Sequence, residues 1–137
     1  VRYTTCVIGD VTNWDGGAKD SLLTGDITII GTGANYLTNC DTYVTDTTYK
    51  AISVGANLLN IIRCRGTIEL TDYTGLSAIT VDFSSGELKV ASSCVSGIIA
   101  VSGMTRLIDE SGVGCMVIDS TLTETGVAGA VLNTVTV

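Results

Sequence analysis

The stretch "GTIELTDYTGLSAITVDFSSGELKVASSCVSGIIAVSG", residues 66–103, decides the fold class. It repeats one pattern: a short run in which apolar and polar residues alternate, a polar turn holding Gly or Ser, then another alternating run. A period of two places every apolar side chain of a run on one face of a strand. The same pattern extends outward in both directions. Candidate strands are "DITII" (26–30), "NYLTNC" (35–40), "YKAISV" (49–54), "NLLNIIRC" (57–64), "GTIELTD" (66–72), "AITVDF" (78–83), "ELKVAS" (87–92), "GIIAVSG" (97–103) and "TRLID" (105–109). Between them stand "GTG", "TGLS" and "SSG", which are turn chemistry. No 11-residue window before residue 120 carries a helical stripe.

Taken in threes, these runs show a longer period. Ile27, Leu58 and Leu88 lie about 30 residues apart, as do Leu37, Ile68 and Ile99; Ile52, Val81 and Ile108 follow a similar step. A short alternating strand cannot bury its apolar face alone, but stacked coils align those faces into one interior column. The expected fold is therefore all-β: a three-sided parallel β-helix of about three coils over residues 21–112. Residues 1–20 are expected to form an N-terminal cap or arm, and 113–137 a C-terminal cap or oligomerisation segment. A β-sandwich built from the same strands is the alternative. Ile68, Leu70, Val81, Val90, Ile99 and Val101 should point inward; Thr28, Glu69, Thr71, Thr80, Asp82 and Lys89 should point outward. "TETGVAGAVLN" (123–133) is the one candidate helix, with Thr123 as its N-cap and Val127, Ala128 and Val131 on one face.

Composition narrows the function. Hydrophobic residues make up 45% of the 137 but aromatics only 5%, so the core must be built from small and branched side chains that suit pleated surfaces. The net charge of −7, with only seven Lys and Arg, argues against a nucleic-acid partner. There is no apolar run of about 18 residues to span a membrane. The opening "VRYTTCVIGDVTNWD" is not a signal peptide; a start at Val1 suggests a removed initiator Met or a fragment.

Chemistry is hard to find. With no His, neither a Ser-His-Asp triad nor a Cys-His pair can form. Glu69, Asp72, Asp82 and Glu87 are the candidates for a paired-carboxylate glycosidase, and Glu69 with Asp82 is the pair that could face solvent together. Solvating surface carboxylates are the favoured reading. "GTGANYLT" lacks the GK[ST] of a phosphate loop. Asp10, Asp15 and Asp20 surround two Gly residues but lack calcium-loop spacing, so a turn is favoured. No catalytic residue, metal or cofactor is expected. Trp14 either caps the open end of the solenoid or anchors a partner; Val127 and Val131 are further candidate interface residues. Five cysteines without a CxxC pair are read first as buried thiols. Cys64 and Cys94, 30 residues apart and thus one coil apart by the period above, are the candidate disulfide.

The segments "GTIELTDYTG" (66–75), "ITVDFSSGELKVASSCVSGIIAVSG" (79–103) and "LIDESG" (107–112) resemble the phrasing shared by virion structural proteins of tailed bacteriophages, of the tail-fibre and decoration type. That phrasing runs from a G-x-I strand to a TG turn, through alternating strands around SG and SS, to an L-x-D-x-S-G turn. Upstream, "LLTGDITIIGTGANYLTNCDTY" (22–43) is similar to a further coil, so the resemblance covers roughly residues 22 to 112. Members are commonly longer, whereas this chain stops at "TETGVAGAVLNTVTV", which favours a compact component such as a capsid decoration protein or a short fibre head. The resemblance implies a non-enzymatic homotrimer on the virion, with capsid or tail proteins as partners and a host surface glycan as a further ligand. A glycan-binding fibre tip and an extracellular filament subunit remain the alternative functions.

Overall fold

A computed structural model describes residues 1–42, 48–75, 78–119 and 134–136, with Asp119 and the last three described by backbone alone. Strands occur throughout these residues, no helix does, and all strand pairing is parallel. The chain is a β-solenoid of about six turns.

Each turn has three sides. Side A stacks β1 (Arg2–Thr4), β4 (Gly17–Lys19), β7 (Tyr36–Thr38), the first part of β10 (Asn60–Thr71), the first part of β11 (Ala78–Val90), β12 (Gly97–Ser102), β14 (Cys115–Asp119) and β15 (Thr134–Thr136). Side B is very short: β2 (Val7–Ile8), β5 (Leu22–Leu23), β8 (Asp41–Thr42), then Arg65 of β10. Side C stacks β3 (Val11–Trp14), β6 (Ile27–Ile29), β9 (Lys50–Ser53), the ends of β10 and β11, and β13 (Arg106–Asp109).

The register fixes the period. Arg2, Gly17, Tyr36, Asn60, Thr80, Ala100 and Ile118 are successive partners on side A, so later turns advance by about 20 residues. This replaces the three coils of about 30 expected from sequence. The expected strands 57–64 and 66–72 merge largely into one continuous strand, β10, and 78–83 with 87–92 largely into β11. A turn therefore carries two readable runs, not three, because side B is too short to show alternation. The true columns are Leu37–Ile61–Val81–Val101 on side A and Ile27–Ile52–Leu70–Val90 on side C. Ile68, Leu70, Val81, Val90, Ile99 and Val101 are all buried, as expected, and Thr28 and Thr80 are exposed.

Residues 2–19 form β1 to β4 within the same ladders. The candidate helix at 123–133, with Thr123, Val127, Ala128 and Val131, lies outside the described residues.

The corners are where the backbone is special. Between sides A and B, Thr5, Asp20, Asn39 and Arg63 all adopt φ of 51–52°. Each is a single left-handed residue that turns the chain without losing the ladder. The amides of Thr5, Asp20 and Asn39 donate to Lys19 O, Thr38 O and Ile62 O in the following turn, at 2.9–3.1 Å. Between sides B and C, Gly66 and Gly86 stack at φ of 114° and 127°. A Cβ on Gly86 would strike the Gly66 carbonyl, so only Gly fits this corner.

Candidate functional site

Two features stand out from the regular stack: an apolar strip outside side A and a column of thiols inside the A–B corner.

The strip follows from the register. Ala78, Ile98 and Met116 are successive partners on side A, and extending the Asn60–Thr80 register puts Leu58 opposite Ala78. All four are exposed; Ile98 and Met116 show 39% and 46% of their surface. Alternation along each strand sends their neighbours Leu59, Ile79, Ile99 and Val117 inward. Val95 and Val113 extend the exposed apolar surface at the corner leading into side A. Side C differs outside. There Lys89 Nζ lies 3.4 Å from Glu69 and 3.7 Å from Glu110, and Arg106 lies 3.7 Å from Glu87. Tyr49 Oη donates to Glu87 Oε2 at 3.1 Å. Burial first, then the neighbouring Glu87 carboxylate, push the Tyr49 phenol up to about 12.

The sequence candidates fall as follows. Glu69 is on side C and Asp82 on side A, where Ser102 Oγ donates to it at 3.1 Å; the two are not brought together. Asp72 turns the C–A corner at φ 60° and accepts from Ser53 and Thr71, and these hydroxyls hold its carboxyl below the usual range. Asp10, Asp15 and Asp20 occupy three different corners, bonding respectively to Asp26 N, the Val1 ammonium (through the Asp15 carbonyl) and Asn39 Nδ2. Among the described residues no group of three acidic, Cys or His side chains could hold a metal. Trp14 is 2% exposed; its ring lies 5.2 Å from that of Tyr3, tilted by 35°, in the first turn and its Nε1 donates to Gly16 O, which makes it core. Val127 and Val131 lie outside the described residues.

Cys64 and Cys94 are buried, free and at different corners: Cys64 follows Arg63 at the A–B corner, and Cys94 lies in the turn between β11 and β12. The A–B corner instead stacks Cys6, Ser21, Cys40 and Cys64 in successive turns, each just after its left-handed residue. Ser21 Oγ lies 3.6 Å from Cys6 Sγ, and Cys40 N donates to Cys64 Sγ at 3.4 Å. A hydrogen bond from the Cys64 side chain pulls the Cys40 thiol down to about 7; the same contact, together with burial, pushes Cys64 up. Sequence reasoning missed this column. Its signal was the dipeptide series Thr5-Cys6, Asp20-Ser21, Asn39-Cys40 and Arg63-Cys64, in which two of the four leading residues are the Asp and Asn that favour left-handed backbone.

Asn35 was also missed. It is 1% exposed within "GTGAN", accepts from Gly16 N, and donates to Gly31 O and Leu58 O. One amide thus ties neighbouring turns together at the C–A corner.

Comparison with protein-family models, with curated protein sequences and with solved structures gave no match.

Proposed function

We propose that the chain is a non-enzymatic structural component of a bacteriophage virion, a capsid decoration protein or short fibre, that associates as a homotrimer through the outer strip of side A. The observation that carries this reading is the strip itself. Leu58, Ala78, Ile98 and Met116 form an uncharged exposed ladder on a parallel sheet, while side C carries the ion pairs of Lys89 and Arg106. Contiguous exposed apolar surface of this kind marks interaction sites, and a closed symmetric assembly would cover three such strips at once. The resemblance of residues 22–112 to virion proteins supports the location, and the stacked rod supports a mechanical or adhesive task.

The test is mass measurement in dilute solution together with electron microscopy of the native particle. A trimer is expected for the natural chain. Ile98→Asp with Met116→Asp is expected to give a folded monomer, since neither side chain is core. A natural chain that stays monomeric at micromolar concentration rejects the trimer.

A second reading, a filament subunit, is favoured by one observation. Among the described residues β1 pairs with β4 alone, which leaves its other edge as a strand template. Head-to-tail filaments in the micrographs would select that reading.

A further inference from the structure

We propose that Cys40 and Cys64 form an oxidisable pair that closes into a disulfide between the third and fourth turns of the solenoid. Thr38 is opposite Ile62 and Asp41 is opposite Arg65, so Cys40 and Cys64 occupy one position in successive turns. Parallel strands lie about 4.8 Å apart, which falls within the Cα separation of roughly 4.4–6.8 Å that a disulfide spans. The Cys64 thiol already reaches into the preceding turn: its Sγ is 3.4 Å from Cys40 N and 3.5 Å from Leu37 O.

The other thiols lack this relation. Cys6 is opposite Ser21, whose hydroxyl separates it from Cys40 by a full turn. Cys115 is opposite Gly97, three residues past Cys94. One stacked pair therefore exists among five thiols. Its acidity is suited to the chemistry, because the hydrogen bond from Cys64 favours a thiolate at Cys40.

A peroxide is a sufficient oxidant and small enough for a thiol that is 5% exposed. The Cys40 thiolate attacks the O–O bond of hydrogen peroxide, forms an S–O bond as a sulfenic acid and releases hydroxide, which leaves as water after protonation. The Cys64 sulfur then attacks the Cys40 sulfur. The S–S bond forms, the S–O bond breaks, the thiol proton goes to the departing hydroxide, and a second water leaves. Two thiols lose two electrons and one peroxide gains them. The link would tie turns that the backbone joins only through the intervening 23 residues, and the constraint would act on the unfolded chain.

The experiment treats the full-length folded protein with hydrogen peroxide, alkylates the remaining thiols, and maps peptides without reduction. The expected result is one linked pair, Cys40 with Cys64, two hydrogen atoms lighter, released by dithiothreitol, with Cys94 and Cys115 alkylated only after unfolding. Oxidation should raise the thermal midpoint by on the order of 10 °C. In Cys64→Ser the reaction should stop at a Cys40 sulfenic acid that dimedone traps. Cys94→Ser with Cys115→Ser should leave the link intact. Free or overoxidised Cys40 and Cys64 in the treated natural chain, or a link mapped to any other pair, overturns the proposal. That map requires no variant to fold, and it reads the same whether the chain is a monomer or a trimer.

Discussion

Sides A and C share one interior and differ outside. Leu37, Ile61, Val81 and Val101 fill the inner column of side A; Ile27, Ile52, Leu70 and Val90 fill that of side C. Outside, side A presents Leu58, Ile98 and Met116 where side C presents Glu69, Lys89 and Arg106. Stacking of the inward residues is enough to form either wall, so the outer positions are free to carry other tasks. A surface laced with ion pairs resists association; an apolar strip invites it.

That contrast can be broken experimentally. The largest effects should be inside and equal on the two sides. Ile99→Ala on side A and Leu88→Ala on side C should each lose about 2–5 kcal/mol, because each truncates a fully buried side chain and leaves a cavity. Denaturant unfolding reads both, and a side C loss well below that of side A would show that the two interiors are not equivalent. Next comes the corner joining sides B and C. Gly86→Ala should lose about 1–3 kcal/mol, since the left-handed backbone and the Gly66 carbonyl both oppose a Cβ.

Outside, the effects should be small and should separate the sides. Lys89→Ala should lose less than about 1 kcal/mol, as partly exposed ion pairs do, and the loss should shrink with added salt. Tyr49 adds an alkaline signature on side C. Its folded pKa is raised, so its contribution to stability is intact below the ordinary phenol value near 10 and fades as pH climbs towards about 12. Unfolding melts across that window should fall less steeply for Tyr49→Phe than for the natural chain; parallel curves would remove the Glu87 contact from the account. Thr80→Ala, outside side A, should change stability by less than about 0.5 kcal/mol.

The walls were legible in the sequence and the corners were not. Alternation in "AITVDF" and "ELKVAS" assigned Val81, Leu88 and Val90 to the interior because a half-buried strand allows only one face to be apolar. It could not show that β10 and β11 pass through two corners without a break in the strand. Gly66 reads as the start of a strand and Gly86 as an ordinary turn residue, whereas they stack one above the other. The apparent period of 30 arises for that reason, and with it the apparent cysteine partner: a step of 30 pairs Cys64 with Cys94, while the actual register sets Cys64 opposite Cys40. Thr5 and Arg63 hid the corner column further, since neither residue type advertises a left-handed backbone as Asp20 and Asn39 do. The strip outside side A was hidden for a different cause: Leu58, Ile98 and Met116 look like core until the register turns them outward.

The unequal lengths of the strands give the rod a direction of melting. β10 and β11 are paired over ten positions, whereas β2 and β5 share two and β1 and β4 three. A stack in which each layer touches only its neighbours behaves as a one-dimensional chain of coupled units, with the strongest coupling setting where order persists. Amide hydrogens of residues 60–71 and 78–90 should therefore exchange last, and opening should advance inward from the first turns as a travelling boundary instead of a single collapse. For a rod under load, such a boundary lets the first turns yield and re-form while the middle of the stack holds.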